Sequence, residues 1–401
     1  MTIVASPPKE PKIDEAQLLF QEAKQRRRKR WLVSGVIAVA LVVLVSAIAA
    51  VTMLTGSPSI QHVSSAPVPT GPLPLGTTRA MGPPVQLASG EGSLWVTHGA
   101  PSPLHTVPPP TGNGGVMRIA EGTATPQPWA QVASPQASAV SDGSVWTAGF
   151  NTGFVTRIDT RTGRVLSKIA LPLPPSADSP FPYPDGQFLP DSIAASQNAV
   201  WVISARGYAA MIDPSTNQVV GYFRLTQDAP SNVVADSSGA WVAEGSLGVA
   251  HLSSTSPVQV VQLHPNDRIG DVADVLFARG SLWASGTIGN GLGSPYEGFV
   301  ARLNPSTGKP LAVKVLSEPL QLMAKTNTAI WTTNGHGHLF LVRPIGQRGL
   351  RIEAKGTLGI RNGLFSFAGT GNRLWFIAGN DGAVTELNPI TGATVRLKLQ
   401  A

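Results

Sequence analysis

Residues 192–225 read SIAASQNAVWVISARGYAAMIDPSTNQVVGYFRL, and this stretch decides the fold. Ser192–Ser196 is a short apolar run that Gln197 and Asn198 turn, and Ala199–Ser204 is a second run built of β-preferring residues. Tyr208–Asp213 makes a third. After the turn Asp213-Pro-Ser-Thr-Asn217 comes a fourth, Val219–Leu225. Four short runs joined by turn chemistry predict an antiparallel four-stranded unit and not a helix pair. The last turn recurs as Asp159-Thr-Arg-Thr-Gly163, Asn304-Pro-Ser-Thr-Gly308 and Asn388-Pro-Ile-Thr-Gly392. Asp or Asn opens it by accepting from backbone N–H groups ahead, and Gly or Asn217 closes it in the left-handed conformation.

Trp201 is one of seven tryptophans in the same local frame, with Trp95, Trp146, Trp241, Trp283, Trp331 and Trp375, at intervals of 51, 55, 40, 42, 48 and 44 residues. One four-stranded unit repeated at that spacing predicts a β-propeller, with seven units of roughly 46 residues between Pro83 and Ala401. A solenoid or a sandwich gives no reason for one Trp on the second strand of every unit. The tryptophans are expected to wedge between neighbouring blades, and Trp129, outside the frame, is placed on an outer strand. The first unit begins with an innermost strand (Val85–Ser89) and the last ends with an outermost one (Ala393–Leu399). Such a ring lacks a shared blade, which makes Pro69–Ala80 a candidate for helping to close it.

Ahead of the ring, Trp31–Leu54 is 24 residues without a charge, long enough to span a bilayer as a helix. Arg26-Arg-Arg-Lys-Arg30 precedes it and assigns that side to the cytoplasm. A cleaved signal peptide is the rival reading, since Ala47-Ile-Ala49 has a cleavage-site form, but its apolar region would be shorter. The chain is thus expected to be a single-pass membrane protein with the propeller outside. Residues 1–30 carry +4 of the overall +7, so the basic balance reports topology and not a nucleic-acid partner. The 28 residues 55–82 are rich in Pro, Ser and Gly and read as a tether. With no cysteine anywhere, disulfides, thiolate ligands and a cysteine nucleophile are excluded.

The units Asn198-Ala-Val-Trp-Val-Ile-Ser204 with Met211-Ile-Asp-Pro-Ser-Thr-Asn217, and Gly280-Ser-Leu-Trp-Ala284 with Arg302-Leu-Asn-Pro-Ser-Thr-Gly308, resemble bacterial propellers of the YVTN or YncE-like and streptogramin B lyase-like (virginiamycin B lyase) superfamily. The resemblance covers residues 83–401 and implies the ring and no single activity, because most motif positions are turns and packing.

The first-to-second and third-to-fourth turns of a blade share one face of the disc, and here they are tight. The other face carries the insertions 99–114, 172–190 and 286–298, which marks it as the binding face. Phe181, Tyr183, Phe188 and Tyr296 are its aromatic contact candidates. The residues three after each Trp are expected on that face near the channel mouth, and among them stand His98, Glu244 and Asn334, with His336 and His338 following in the loop Asn334-Gly-His-Gly-His338. These donors suit a divalent metal, but they lie on blades one, four and six, so a solvated loop is the expectation and no cofactor is predicted.

There is no phosphate loop and no nucleophile elbow. In the streptogramin lyases, as the resemblance implies, a catalytic His stands eleven residues before a blade Trp and a metal-binding Glu three after it. Here the former positions hold Pro84, Pro135, Pro190, Pro230, Val272, Leu320 and Leu364, and Glu244 alone matches the latter. None of the seven can move a proton, and the prolines suggest a conformational role.

The sequence therefore predicts an all-β, seven-bladed β-propeller of four-stranded blades (83–401) preceded by one N-terminal transmembrane helix (31–54). Its expected role is a binding module for a protein, a cell-wall glycan or a small ligand. A lyase-type enzyme with a divalent metal and a structural envelope component are the alternatives.

Overall fold

A computed structural model describes residues 84–99, 113–149, 152–173, 188–225, 230–246, 248–263, 269–289, 297–358, 360, 363–379 and 383–398. The expected tail, membrane helix and tether lie outside them, as do Phe181, Tyr183, Tyr296 and the closure candidate Pro69–Ala80. Among the described residues no helix is long and apolar enough to cross a membrane. The ring falls within one compact unit of the chain, Pro72–Ala401.

The strands pair into seven four-stranded antiparallel sheets, each made of four strands consecutive in the chain. Blades one to seven span 84–133, 137–170, 190–224, 232–261, 269–316, 322–357 and 364–398. In blade three the strands are Pro190–Ala195, Val200–Ser204, Tyr208–Asp213 and Gln218–Arg224, within two residues of the boundaries read from the sequence at every end. The first strand of each blade packs against those of its two neighbours, so seven first strands form a closed inner ring.

Each gap between adjacent blades is filled by its own apolar core, and each core holds one framed tryptophan. Trp95 and Trp146 pack against blades two and three, Trp201 and Trp241 against four and five, Trp283 and Trp331 against six and seven. Trp375 of blade seven packs on Leu87, Leu94 and Val96 of blade one. All seven indoles are buried, as a wedge requires. Trp129 sits on the outer strand Gln127–Ala133 and donates from Nε1 to Asp159 O at 3.2 Å.

The recurring turn has the expected chemistry. Asp159 Oδ1 accepts from the N–H groups of Arg161 (2.8 Å) and Thr162 (2.7 Å), and Asn304 Oδ1 accepts from Ser306 (2.9 Å) and Thr307 (3.1 Å). Gly163, Gly308, Gly392 and Asn217 close these turns with φ of 70°, 66°, 73° and 56°.

Among the described residues no blade is shared between the two ends of the chain. The seam between blades seven and one is closed by the Trp375 core and by Leu87 N–H donating to Ser366 Oγ at 3.0 Å, across 279 residues of chain.

Candidate functional site

The antiparallel order puts the second-to-third and fourth-to-first connections on one face, and there the chain between described strands is longest, at 99–112 and 171–189. The first-to-second turns on the opposite face are short. Glu91-Gly92, Asp142-Gly143 and Arg279-Gly280 take two-residue hairpins with positive φ at both positions.

Of the residues three after each Trp, all but Gly286, which lies within Ser281–Gly289, stand at or just after the end of a second strand on the insertion face, and all but the half-buried Ala378 are buried. His98 is 6 % exposed, Asn334 1 %, and Ser204 and Glu244 are fully buried. Glu244 opens the turn to Gly248, its N–H donating to Gly248 O at 2.9 Å, and Gly245 O accepts from Val272 N–H of the next blade at 3.0 Å. Burial pushes the His98 imidazole down to about 4, so it packs as a neutral ring.

Phe188 departs from the sequence reading. It is fully buried in the core between blades two and three, 5.9 Å from the ring of Tyr222, and is a packing residue and not an exposed contact. Ser204 Oγ donates to Phe188 O, and Ala205 N–H donates to Leu189 O at 3.2 Å, which pulls the returning chain inward. Leu189 adopts φ 54° there, a left-handed conformation that a leucine holds only when its surroundings enforce it.

Asn334, His336 and His338 do come together. Asn334 Oδ1 accepts from the N–H groups of His336 (3.0 Å) and His338 (2.8 Å), which shapes the Gly-His-Gly-His loop. Glu318, in the connection from blade five to blade six, joins them. Its Oε2 accepts from Asn334 Nδ2 at 2.7 Å and bonds His338 Nδ1. His336 is exposed. The remaining named donors stay apart, and among the described residues no group of three His, Asp or Glu side chains stands at metal-ligand spacing.

The exposed residues of the mouth come from the inner strands instead. In blades one, three, five and seven a β-bulge leaves one inner residue unpaired at the equivalent position: Val85, Asp191, Ala273 and Phe365. Bulges re-aim side chains, and they gather at strand ends beside binding sites. Counted from each Trp, these are the residues ten before it. The matching residues of blades two, four and six are Gln136, Ser231 and Gln321, whose N–H groups bond Ala148 O (2.8 Å), Ala243 O (3.0 Å) and Thr333 O (3.0 Å) of the second strands. All seven are half-buried or exposed, and Phe365 is 56 % exposed. One residue earlier, Pro84, Pro135, Pro190, Pro230, Val272, Leu320 and Leu364 are all buried. The positions where a lyase would carry its proton-transfer residue are therefore a packing layer directly beneath the rim. Nothing in the hydrophobic pattern announces a bulge, which is why the rim is missed from sequence.

Inner strands of adjacent blades do not share a ladder, so side chains bridge them. Asp274 Oδ2 accepts from Met323 N–H of blade six at 2.6 Å, while its Oδ1 takes Val275 N–H at 2.8 Å and Asn232 Nδ2 of blade four. Burial outweighs these three donors and raises the Asp274 carboxyl to about 7.

No protein-family model and no curated protein matches the chain. Solved structures do. The WD40 repeats of RRP9 align with a TM-score of 0.53 at 12% identity over 76% of this chain and 93% of that one. A chain of the mitotic checkpoint complex aligns at 0.54 with 13% identity, over 81% of this chain and 97% of that one. This chain is a β-propeller. At such identities the likeness establishes the fold alone.

Proposed function

We propose that the chain is a membrane-anchored, extracytoplasmic propeller that acts as a binding module through its insertion face. The observation that carries the reading is the asymmetry of the disc, with minimal turns on one face and long connections on the other, since scaffold turns stay short where nothing is bound. The uncharged span Trp31–Leu54 behind its arginine cluster supports the anchor. A lyase-type activity is disfavoured by the packing layer at the proton-transfer positions.

A photo-crosslinking residue at His336, exposed on the insertion face, and another at Ile390, exposed in the turn Asn388–Gly392 on the opposite face, separate the alternatives. In the native envelope the first is expected to capture a protein or glycan component that the second does not. Equal capture from both, or capture from Ile390 alone, would refute the face assignment.

A further inference from the structure

The face opposite the insertions has converging groups of its own. Every turn of that face within residues 84–398 lies among the described residues. There the inner ends of blades four, five and six border one cleft of about 570 Å³, whose lining includes Asp236, Phe277, Arg279, Pro305, Lys325 and Ile330. That is the size of a small-ligand site.

Two cations cross the groove between blades five and six in opposite directions. Phe277 and Lys325 each stand six residues before the Trp of their blade, and Arg279 and Asn327 each stand four before it. Lys325 Nζ of blade six donates to Phe277 O of blade five at 3.2 Å, and Arg279 Nη2 of blade five donates to Asn327 O of blade six at 3.2 Å. Each head thus reaches the position equivalent to its own on the neighbouring blade. These ties hold both charges over the same cleft, yet each is made to a neutral carbonyl. Among the described residues neither cation forms an ion pair. Lys325 is exposed as a residue, but its head is drawn towards Phe277 O, and burial there holds the ammonium below the usual lysine range.

Asp236 is the one carboxylate of the lining, and it is engaged with its own turn: Oδ1 accepts from Ser238 N–H at 2.7 Å and from Ser238 Oγ at 2.6 Å. The cleft therefore carries an excess of positive charge. An oxyanion supplies the counter-charge that the two carbonyls do not, and its bonds to an ammonium and a guanidinium are roughly twice as strong as neutral ones. The half-buried Phe277 and Pro305 offer apolar contact beside them.

We propose that this cleft binds a small oxyanion, a carboxylate or phosphate group on a short apolar body, held by Lys325 and Arg279. The site goes beyond recognition by the insertion face. Its donors come from inner strands and first turns, so it needs no long loop, and crosslinking at His336 or Ile390 does not bear on it.

The test is ligand-observed NMR titration of the full chain in non-ionic detergent micelles, with phenyl phosphate, 3-phenylpropionate and the neutral 3-phenylpropanol as probes. At least one of the two anions is expected to bind at millimolar concentration or below, and which one binds tells phosphate from carboxylate. The alcohol should bind at least about tenfold more weakly. Lys325→Met should weaken the anion about tenfold or more, and Lys325→Arg, which keeps the charge, should stay within severalfold of the parent. Arg279→Gln should weaken it severalfold; Arg279 has φ 50°, and glutamine bears the same backbone penalty there, so the turn is kept. Asp236→Asn should tighten binding by removing a like charge, and Arg348→Gln, an exposed cation elsewhere on that face, should leave it unaltered. Silence of both anions, equal binding of the alcohol, or binding that survives Lys325→Met and Arg279→Gln alike would overturn the proposal. Should Lys325→Met fail to fold, Arg279→Gln and the alcohol decide the matter.

Discussion

The indole of Trp241 occupies the space that a side chain at Gly308 would need: a β-carbon there would lie 2.5 Å from the ring. Trp241 Nε1 also donates to Pro305 O at 3.1 Å, so the last turn of blade five is seated on the wedge of blade four. Gly308→Ala should thus be far costlier than Gly346→Ala. At Gly346, φ is 53° but the space is open, so only the left-handed backbone is penalised, at about 1–2 kcal/mol. Gly308→Ala should cost about 3 kcal/mol or more, since the ring must move too. Urea unfolding of the two variants measures the difference, and equal losses would mean that the turn is not seated on Trp241.

Arg157 ties blade two to blade three. Its Nε donates to Ser144 Oγ (2.9 Å) and its Nη1 to Pro214 O (2.6 Å) and Asn217 Oδ1 (3.0 Å), with the guanidinium 4.8 Å from the centre of the Trp146 ring. A lysine cannot reproduce that planar fork. Arg157→Lys should lower stability by about 1–3 kcal/mol, whereas Arg348→Lys, on an exposed residue, should stay within about 0.5 kcal/mol. Matching unfolding curves for Arg157→Lys and the parent would reduce the tie to a surface contact.

Two buried groups should give stability opposite slopes in pH. Asp274, raised from 3.8 to about 7, keeps its proton in the folded chain after the unfolded chain has released it, so its contribution declines as pH rises across that window. His98, lowered from 6.5 to about 4, must charge on unfolding, so its contribution is lost as pH falls from 6.5 towards 4. Asp274→Asn loses an acceptor for Met323 N–H or Asn232 Nδ2. It should destabilise by about 1–3 kcal/mol near pH 4.5 and by less near pH 8. His98→Gln should flatten the acid limb. A gap for Asp274→Asn that widens with pH would show that the three donors keep the carboxyl ionised.

The anchor predicts that protease added to intact spheroplasts digests the propeller or its tether while Arg26–Arg30 stays protected, as judged with an N-terminal tag. Protection of the whole chain until lysis would place the ring inside.

The repeat was legible because its two signals are local. A Trp on each second strand and an Asx turn before the fourth strands of blades two, three, five and seven are chemistry within a few residues, and both appear where expected. The side-chain ties within blades were half legible: Ser93, Ser144 and Ser281 stand two residues before a Trp, and Arg118, Arg157 and Arg302 of the same blades bond their Oγ atoms from the third strand at 2.8, 2.9 and 2.9 Å. Spacing alone does not say that these pairs meet. The site was the least legible part. His98, Glu244 and Asn334 stand on the right face, yet all three are buried, Asn334 beneath Glu318 of the connection from blade five to blade six, and a strand end's own residues do not announce its depth. Glu318 was missed because one acid in a variable connection has no pattern, although it is what orders Asn334 and His338.

The seam between Trp375 and Leu87 bears on how the ring can assemble. A propeller with a shared blade needs its two chain ends together before its last sheet exists, so loop closure over the whole chain precedes part of the hydrogen bonding. Here every sheet can form from one stretch of neighbouring chain, and only the packing of finished sheets against each other spans the ring. That lowers the sequence separation of the contacts needed first, which favours fast, blade-by-blade folding. It also makes the seam one junction among seven: in the ring itself, linking residue 398 to residue 84 and cutting between any other pair of blades should give a circular permutant with the same disc.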